Sequence, residues 1–169
     1  MTCQKVLPQA LLPGDRVRAS FHLHLDPLPR RVGQARTFVL EHAPSLSTDT
    51  RDILALLTSE LVTNAVLHAR TPLEVGLTVT TRSVLVTVHD LNPGTASTPG
   101  TYSEPARPPA SDGLREGGWG LGLVAALAAA SAMEVHADGG KTAWFRLPRG
   151  LPEVDGDAAA RVPADQQRA

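Results

Sequence analysis

Residues 91–118 hold five prolines and five glycines with hardly any large apolar side chain, and this constrains the chain more than any other feature. Such a stretch supplies nothing to a core. It reads as one long loop, and loops of that length inside a compact domain are uncommon and usually functional, often as lids. The core must therefore come from the periodic segments on either side. Before the loop, Ser20 to Asp26 alternates Phe21, Leu23 and Leu25 against His22 and His24, the period of a half-buried strand. Val32, Ala35, Val39 and Leu40 then recur at helical spacing from Arg31 to His42, and Pro44 stops that helix. Ser47, Thr48 or Asp49 can cap a second helix running to about His68. Leu73 to Thr80 and Ser83 to Asp90 read as two strands around a Thr81-Arg82 turn. After the loop come an Ala/Leu-rich helix, Trp119 to Ala130, and two strands, Met133 to Ala137 and Thr142 to Leu147, around Asp138-Gly139-Gly140. Two adjacent hairpins among helices predict an α+β fold: a two-layer sandwich of a mixed, mainly antiparallel sheet covered on one face by helices.

At 169 residues the chain suits one domain, expected at residues 20–148, with residues 1–19 and 149–169 as flexible tails. The formal net charge of -1 gives no reason to expect nucleic acid or an anionic membrane as partner. Cys3 is the single cysteine, which excludes an internal disulfide and a cysteine-based zinc cluster. No run approaches the roughly 20 apolar residues that cross a bilayer, and no secretory leader pattern is present, so a cytoplasmic location is expected. Arginine makes up 14 of the 16 basic residues, a bias of genome composition more than of chemistry.

Three features carry chemistry. At 100° per residue, Ile53, Leu54, Leu56, Leu57, Leu61, Ala65, Leu67 and His68 fall on one broad arc of the second helix, with Ala55, Thr58, Ser59 and Thr63 opposite. Glu60 and Asn64 land near the middle of that apolar arc, four residues apart and therefore neighbours. A carboxylate and an amide placed there are either paired in a polar network or open onto a site, where the carboxylate polarises a hydroxyl or water and the amide oxygen ligates Mg²⁺. Asp90 ends the alternation of Val84, Val86 and Val88 at the start of the Pro/Gly loop. It is either a turn former or an acceptor for an exocyclic amine. Gly117-Gly118-Trp119-Gly120-Leu121-Gly122-Leu123 runs directly into a helix, where glycines allow close backbone approach and free N–H groups suit phosphate; the alternative is a hinge. No Gly-Lys-Ser/Thr follows, and no strand precedes it, so neither a Walker loop nor a dinucleotide fingerprint fits.

The order of these segments is more specific than any one of them. Ser59-Glu60-Leu61-Val62-Thr63-Asn64-Ala65-Val66-Leu67-His68-Ala69, then Val88-His89-Asp90 with Pro93-Gly94, then Gly118 to Leu123, then Gly140-Lys141-Thr142 resembles the ATPase superfamily of gyrase, the histidine kinases, the heat-shock chaperone ATPases and the MutL mismatch-repair protein. Within it the chain looks most like the free-standing bacterial anti-sigma-factor serine kinases. The resemblance implies the histidine kinase-like ATPase fold and ATP with Mg²⁺ as ligands. It implies Glu60 as general base, Asn64 as the magnesium-holding and nucleotide-binding asparagine, and Asp90 as the adenine-reading aspartate. Gly94, Gly118, Gly120, Leu121 and Gly122 would line the nucleotide, and Thr142 would place a hydroxyl near the adenine. Residues 91–117 would be the ATP lid, with Arg107 and Arg115 as candidate phosphate contacts. Asp90-Leu91-Asn92-Pro93-Gly94 departs from the superfamily's usual Asp-x-Gly-x-Gly and keeps only the second glycine, as anti-sigma-like relatives also do. The implied activity is transfer of the γ-phosphate to a serine of a protein antagonist, with a sigma factor as competing partner and transcription as the process controlled; the alternative is a nucleotide-gated binding module without phosphotransfer. A homodimer is expected from the likeness alone. His68 is expected to be structural, and Trp119 and Trp144 to pack.

Overall fold

The structure is a computed structural model that describes residues 10–43, 46–92, 100–102, 119–137 and 139–149. Its elements, in chain order, are β1 (Val17–Leu25), α1 (Arg31–His42), α2 (Thr48–His68), β2 (Leu73–Thr80), β3 (Ser83–Asp90), β4 (Gly100–Tyr102), α3 (Trp119–Leu127), β5 (Ala130–Val135) and β6 (Lys141–Pro148). The six strands form one sheet in the order β1-β2-β3-β6-β5-β4, and every pairing is antiparallel. The expected α+β sandwich is therefore present.

Alternation explains the layers. Leu73, Val75, Leu77 and Val79 of β2 join Val84, Val86 and Val88 of β3 and Phe145 of β6 in one buried cluster with Leu54, Leu57 and Leu61 of α2. Burying a side chain of this size contributes about 1.5–3 kcal/mol, so this shared face accounts for most of the fold's cohesion. The other face of the sheet carries the intervening residues. There Ala10, Leu85 and Trp144 form a second, smaller cluster, and polar side chains pair across strands: Ser20 with Thr78, His22 with Glu74, and the Trp144 indole with Glu134.

The structure corrects the sequence reading in three places. The buried stripe of α2 is Leu54, Leu57, Thr58, Leu61, Val62, Ala65 and Val66, turned about a quarter-turn from the expected arc; Leu56 and Leu67 are 41% and 56% exposed. As the middle helix of its layer, α2 packs against the sheet and against both α1 and α3, so apolar residues surround much of its circumference and fix its orientation poorly. Its start is conventional, with the Ser47 hydroxyl accepting from the Thr50 N–H at 3.2 Å.

The second correction concerns residues 10–19, expected to belong to a tail. Ala10 is fully buried and β1 begins at Val17. Asp15 clasps the β2–β3 turn, accepting from the hydroxyls of Thr80 (2.6 Å), Ser83 (2.9 Å) and Thr81 and from the Arg82 N–H (3.1 Å). Burial, the largest single influence, pushes the Asp15 carboxyl upward, but these donors together hold it well below the usual carboxylate range. The third correction is β4, a strand inside the stretch read as loop: Gly100–Tyr102 pairs with Met133 to Val135 of β5. Backbone pairing at a sheet edge needs no large apolar side chain, so composition does not register it.

Candidate functional site

The sheet register sets one end of the sandwich apart. Asp90, the last residue of β3, pairs with Leu73 at the start of β2 and with Lys141 at the start of β6. Only four residues separate His68 from Leu73, so the C-terminus of α2 lies at this same end. So does the N-terminus of α3. That helix ends three residues before Ala130, which pairs with Arg146 at the opposite end of β6, so α3 must run back along the sheet toward Lys141. Its packing is against α2 and β5. The expected site segments, 49 or more residues apart in the case of α2 and the glycine run, thus converge on the helix-covered face at one end of the sheet.

Asp90 is 2% exposed although it ends a strand, and its bond to the N–H two residues on makes it a turn former as well. Its Oδ1 accepts the Asn92 N–H at 2.9 Å and is 3.3 Å from Lys141 Nζ. Among the described residues Oδ2 has no hydrogen-bond partner. Asn92 carries the connection onward: its amide donates to the His68 and Ala69 carbonyls at 2.9 and 3.2 Å. The end of β3 is thereby fastened to the end of α2.

Glu60 and Asn64 are half-buried, at the margin of the α2 stripe and not at its centre. Among the described residues neither side chain makes a hydrogen bond or ion pair, so the polar-network alternative finds no support. Two adjacent polar groups at the edge of a helix layer, left without protein partners, have the form of a ligand-facing surface. In α3, the space into which a Cβ on Gly122 would project is empty within 4 Å, so packing within the domain does not demand glycine there. Gly120 and Leu121 lie in the first turn of α3, while Gly94, Gly118, Arg107 and Arg115 fall outside the described residues.

Thr142 departs from its expected place. Alternation puts it on the sheet face opposite Asp90, where its hydroxyl meets His89 Nδ1 at 3.1 Å and His136 Nε2 at 2.8 Å. The residue that stands beside Asp90 on β6 is Lys141. A Gly-Lys-Thr order places lysine, not threonine, one step after the turn, and the two-residue period of a strand does the rest. Lys141, Asn92 and Gly140 were the residues sequence reasoning left without a role; only the register of β3 with β6 reveals them. Gly140 is needed for space, since a Cβ there would lie 2.8 Å from His89 Cε1 and 3.0 Å from the Asp90 carbonyl oxygen.

A family profile described as histidine kinase-like ATPase domain matches residues 25–147. The chain belongs to the histidine kinase-like ATPase family. No curated protein matches it. As a histidine kinase-like ATPase domain the chain is expected to bind ATP, and its own residues fit that ligand. The unpartnered Oδ2 of buried Asp90 suits an exocyclic amine, the glycine start of α3 suits phosphates, and the amide oxygen of Asn64 is a donor of the kind Mg²⁺ accepts. Among the described residues no helix is long and apolar enough to cross a membrane.

Proposed function

We propose that this histidine kinase-like ATPase domain is an ATP-dependent protein serine kinase of the anti-sigma-factor type. The observation that carries the proposal is the position of Glu60 one turn before Asn64 on α2, half-buried and without a partner among the described residues, at the end of the fold that also presents Asp90. Asp90 reads the base, Asn64 holds Mg²⁺ against the phosphates, and the N-terminal turn of α3 receives them. Bound Mg²⁺ supplies neutralisation of phosphate charge. Glu60 then orients, and accepts the proton of, a serine hydroxyl brought by a second protein. Positioning and charge stabilisation carry such a transfer, with little covalent chemistry required of the protein.

The acceptor by this reading is a protein antagonist of the anti-anti-sigma type, with a sigma factor as the competing partner. The added phosphate charge reverses the antagonist's binding preference. Titration calorimetry with Mg-ATP, followed by labelled-ATP transfer to candidate antagonists, tests the proposal. Binding that Asp90→Ala and Asn64→Ala weaken, and serine labelling that Glu60→Ala abolishes, support it. Absence of nucleotide binding overturns the whole reading. Nucleotide binding with no antagonist ever labelled leaves a gated binding module in its place.

A further inference from the structure

We infer that Lys141 is a specificity-determining residue: it commits one oxygen of Asp90, so that the carboxylate offers a base a single acceptor. The inference rests on the reading of Asp90 as the base-binding carboxylate. It concerns what kind of base the site admits and which residue enforces that.

Lys141 Nζ lies 3.3 Å from Asp90 Oδ1 and 3.3 Å from the Asn92 carbonyl oxygen. The Asn92 N–H approaches the same Oδ1 at 2.9 Å. The two side chains are 12% and 2% exposed, so solvent screens their attraction little. Oδ1 thus accepts the Asn92 N–H and faces the Lys141 charge, while Oδ2 has no partner among the described residues. Lys141 owes this location to the direct pairing of Asp90 with Lys141 between β3 and β6.

The chemistry of purines makes the arrangement selective. An uncommitted carboxylate can accept two parallel donors, one on each oxygen, and guanine presents such a pair in its ring N1–H and its exocyclic 2-amino group. Adenine presents one exocyclic amine beside an acceptor nitrogen. With Oδ1 held by Lys141, guanine's second donor goes unmatched, whereas adenine's amine is satisfied by Oδ2 alone. A buried donor left unpaired is the kind of penalty by which sites discriminate strongly. Lys141 therefore acts against guanine through Asp90, as well as fixing the carboxylate's orientation.

Titration calorimetry of the full chain with the Mg²⁺ complexes of ATP, GTP and ITP tests this, ITP being the analogue of GTP that lacks the 2-amino group. In the wild type, GTP should bind at least about fivefold more weakly than ITP, because its 2-amino group is buried without an acceptor. Lys141→Met should weaken ATP and let GTP gain on ITP by about fivefold, the effect of one added hydrogen bond. Lys141→Arg, which keeps a cation at Oδ1, should preserve the wild-type order. An unchanged GTP to ITP ratio in Lys141→Met, with all three nucleotides weakened alike, means a merely structural lysine and overturns the inference. If that variant does not fold, the wild type alone decides, since GTP binding as tightly as ITP, or more tightly, shows an acceptor for the 2-amino group and overturns the inference too. Failure of the underlying reading looks different: the wild type then binds no ATP, or Asp90→Ala leaves ATP affinity unchanged.

Discussion

The Asn92 side-chain amide donates to the His68 carbonyl at 2.9 Å, which fastens the strand carrying Asp90 to the last turn of the helix carrying Asn64. Two groups proposed to hold opposite ends of one nucleotide are therefore set relative to each other by the Asn92 side chain. Asn92→Ala removes this bond and its companion to Ala69. Loss of two such bonds should lower unfolding free energy by about 1–2 kcal/mol, measured by urea denaturation. Mg-ATP affinity should fall by more than the small change in folded fraction explains.

Gly122 and Gly140 separate ligand space from packing space. Gly122→Ala should leave stability unchanged or raise it by up to about 1 kcal/mol, because alanine is the better helix former and the added Cβ meets nothing. Mg-ATP binding should nonetheless weaken. Gly140→Ala should do the reverse in emphasis, with overpacking against His89 and the Asp90 backbone costing about 1–3 kcal/mol. Thermal melts and calorimetric titration of both variants read the contrast. Unaltered ATP binding in folded Gly122→Ala would remove that glycine from the site.

Thr58 is fully buried and its hydroxyl lacks a hydrogen-bond partner. Thr58→Val keeps the branched shape and removes the unsatisfied group. The variant should be more stable by about 1 kcal/mol, seen as a higher urea midpoint at unchanged slope, with nucleotide affinity untouched.

Asp15 ties the segment before β1 to the β2–β3 turn, and its carboxyl is held below the usual range. The unfolded chain titrates near the ordinary aspartate value of about 3.9, so below that the unfolded state binds the proton that the folded state refuses. The stabilisation is thus full above about pH 5 and is lost as pH falls from there toward the depressed folded value. Asp15→Ala should cost about 1–2 kcal/mol at pH 7, after allowance for partial solvent screening. That difference from the wild type should shrink in denaturation curves taken below pH 4.

Much of this was legible in the sequence because period and punctuation were strong there. Strands β2 and β3 and helix α1 have the bounds that Thr81-Arg82 and Pro44 mark, and Asp90 stood out by ending a valine alternation. What remained hidden depended on neighbours. The orientation of α2 is set by packing on three sides, and its Val62 and Val66 belong to the buried stripe that the apolar arc omitted. Asp15 looks like any polar residue until the turn it clasps is beside it. Thr142 lies on the face opposite Asp90 and Lys141 beside it because a strand assigns sides by register, and a shift of one residue inverts every assignment.

The short strand β4 changes the mechanics of the long excursion after Asp90. Gly100 pairs with Val135 while Asp90 pairs with Lys141, so the two ends of the 93–99 link lie at the same end of the sheet on either side of the β5–β6 turn. Three strand spacings, roughly 14 Å, separate them, against a full reach of roughly 27 Å for such a link. Strand β4 is therefore a fixed post on the sheet between Asp90 and α3 in the chain. A deletion of one or two residues in 93–99 leaves the span reachable, whereas loss of the pairing at Gly100–Tyr102 would free that post from the sheet edge.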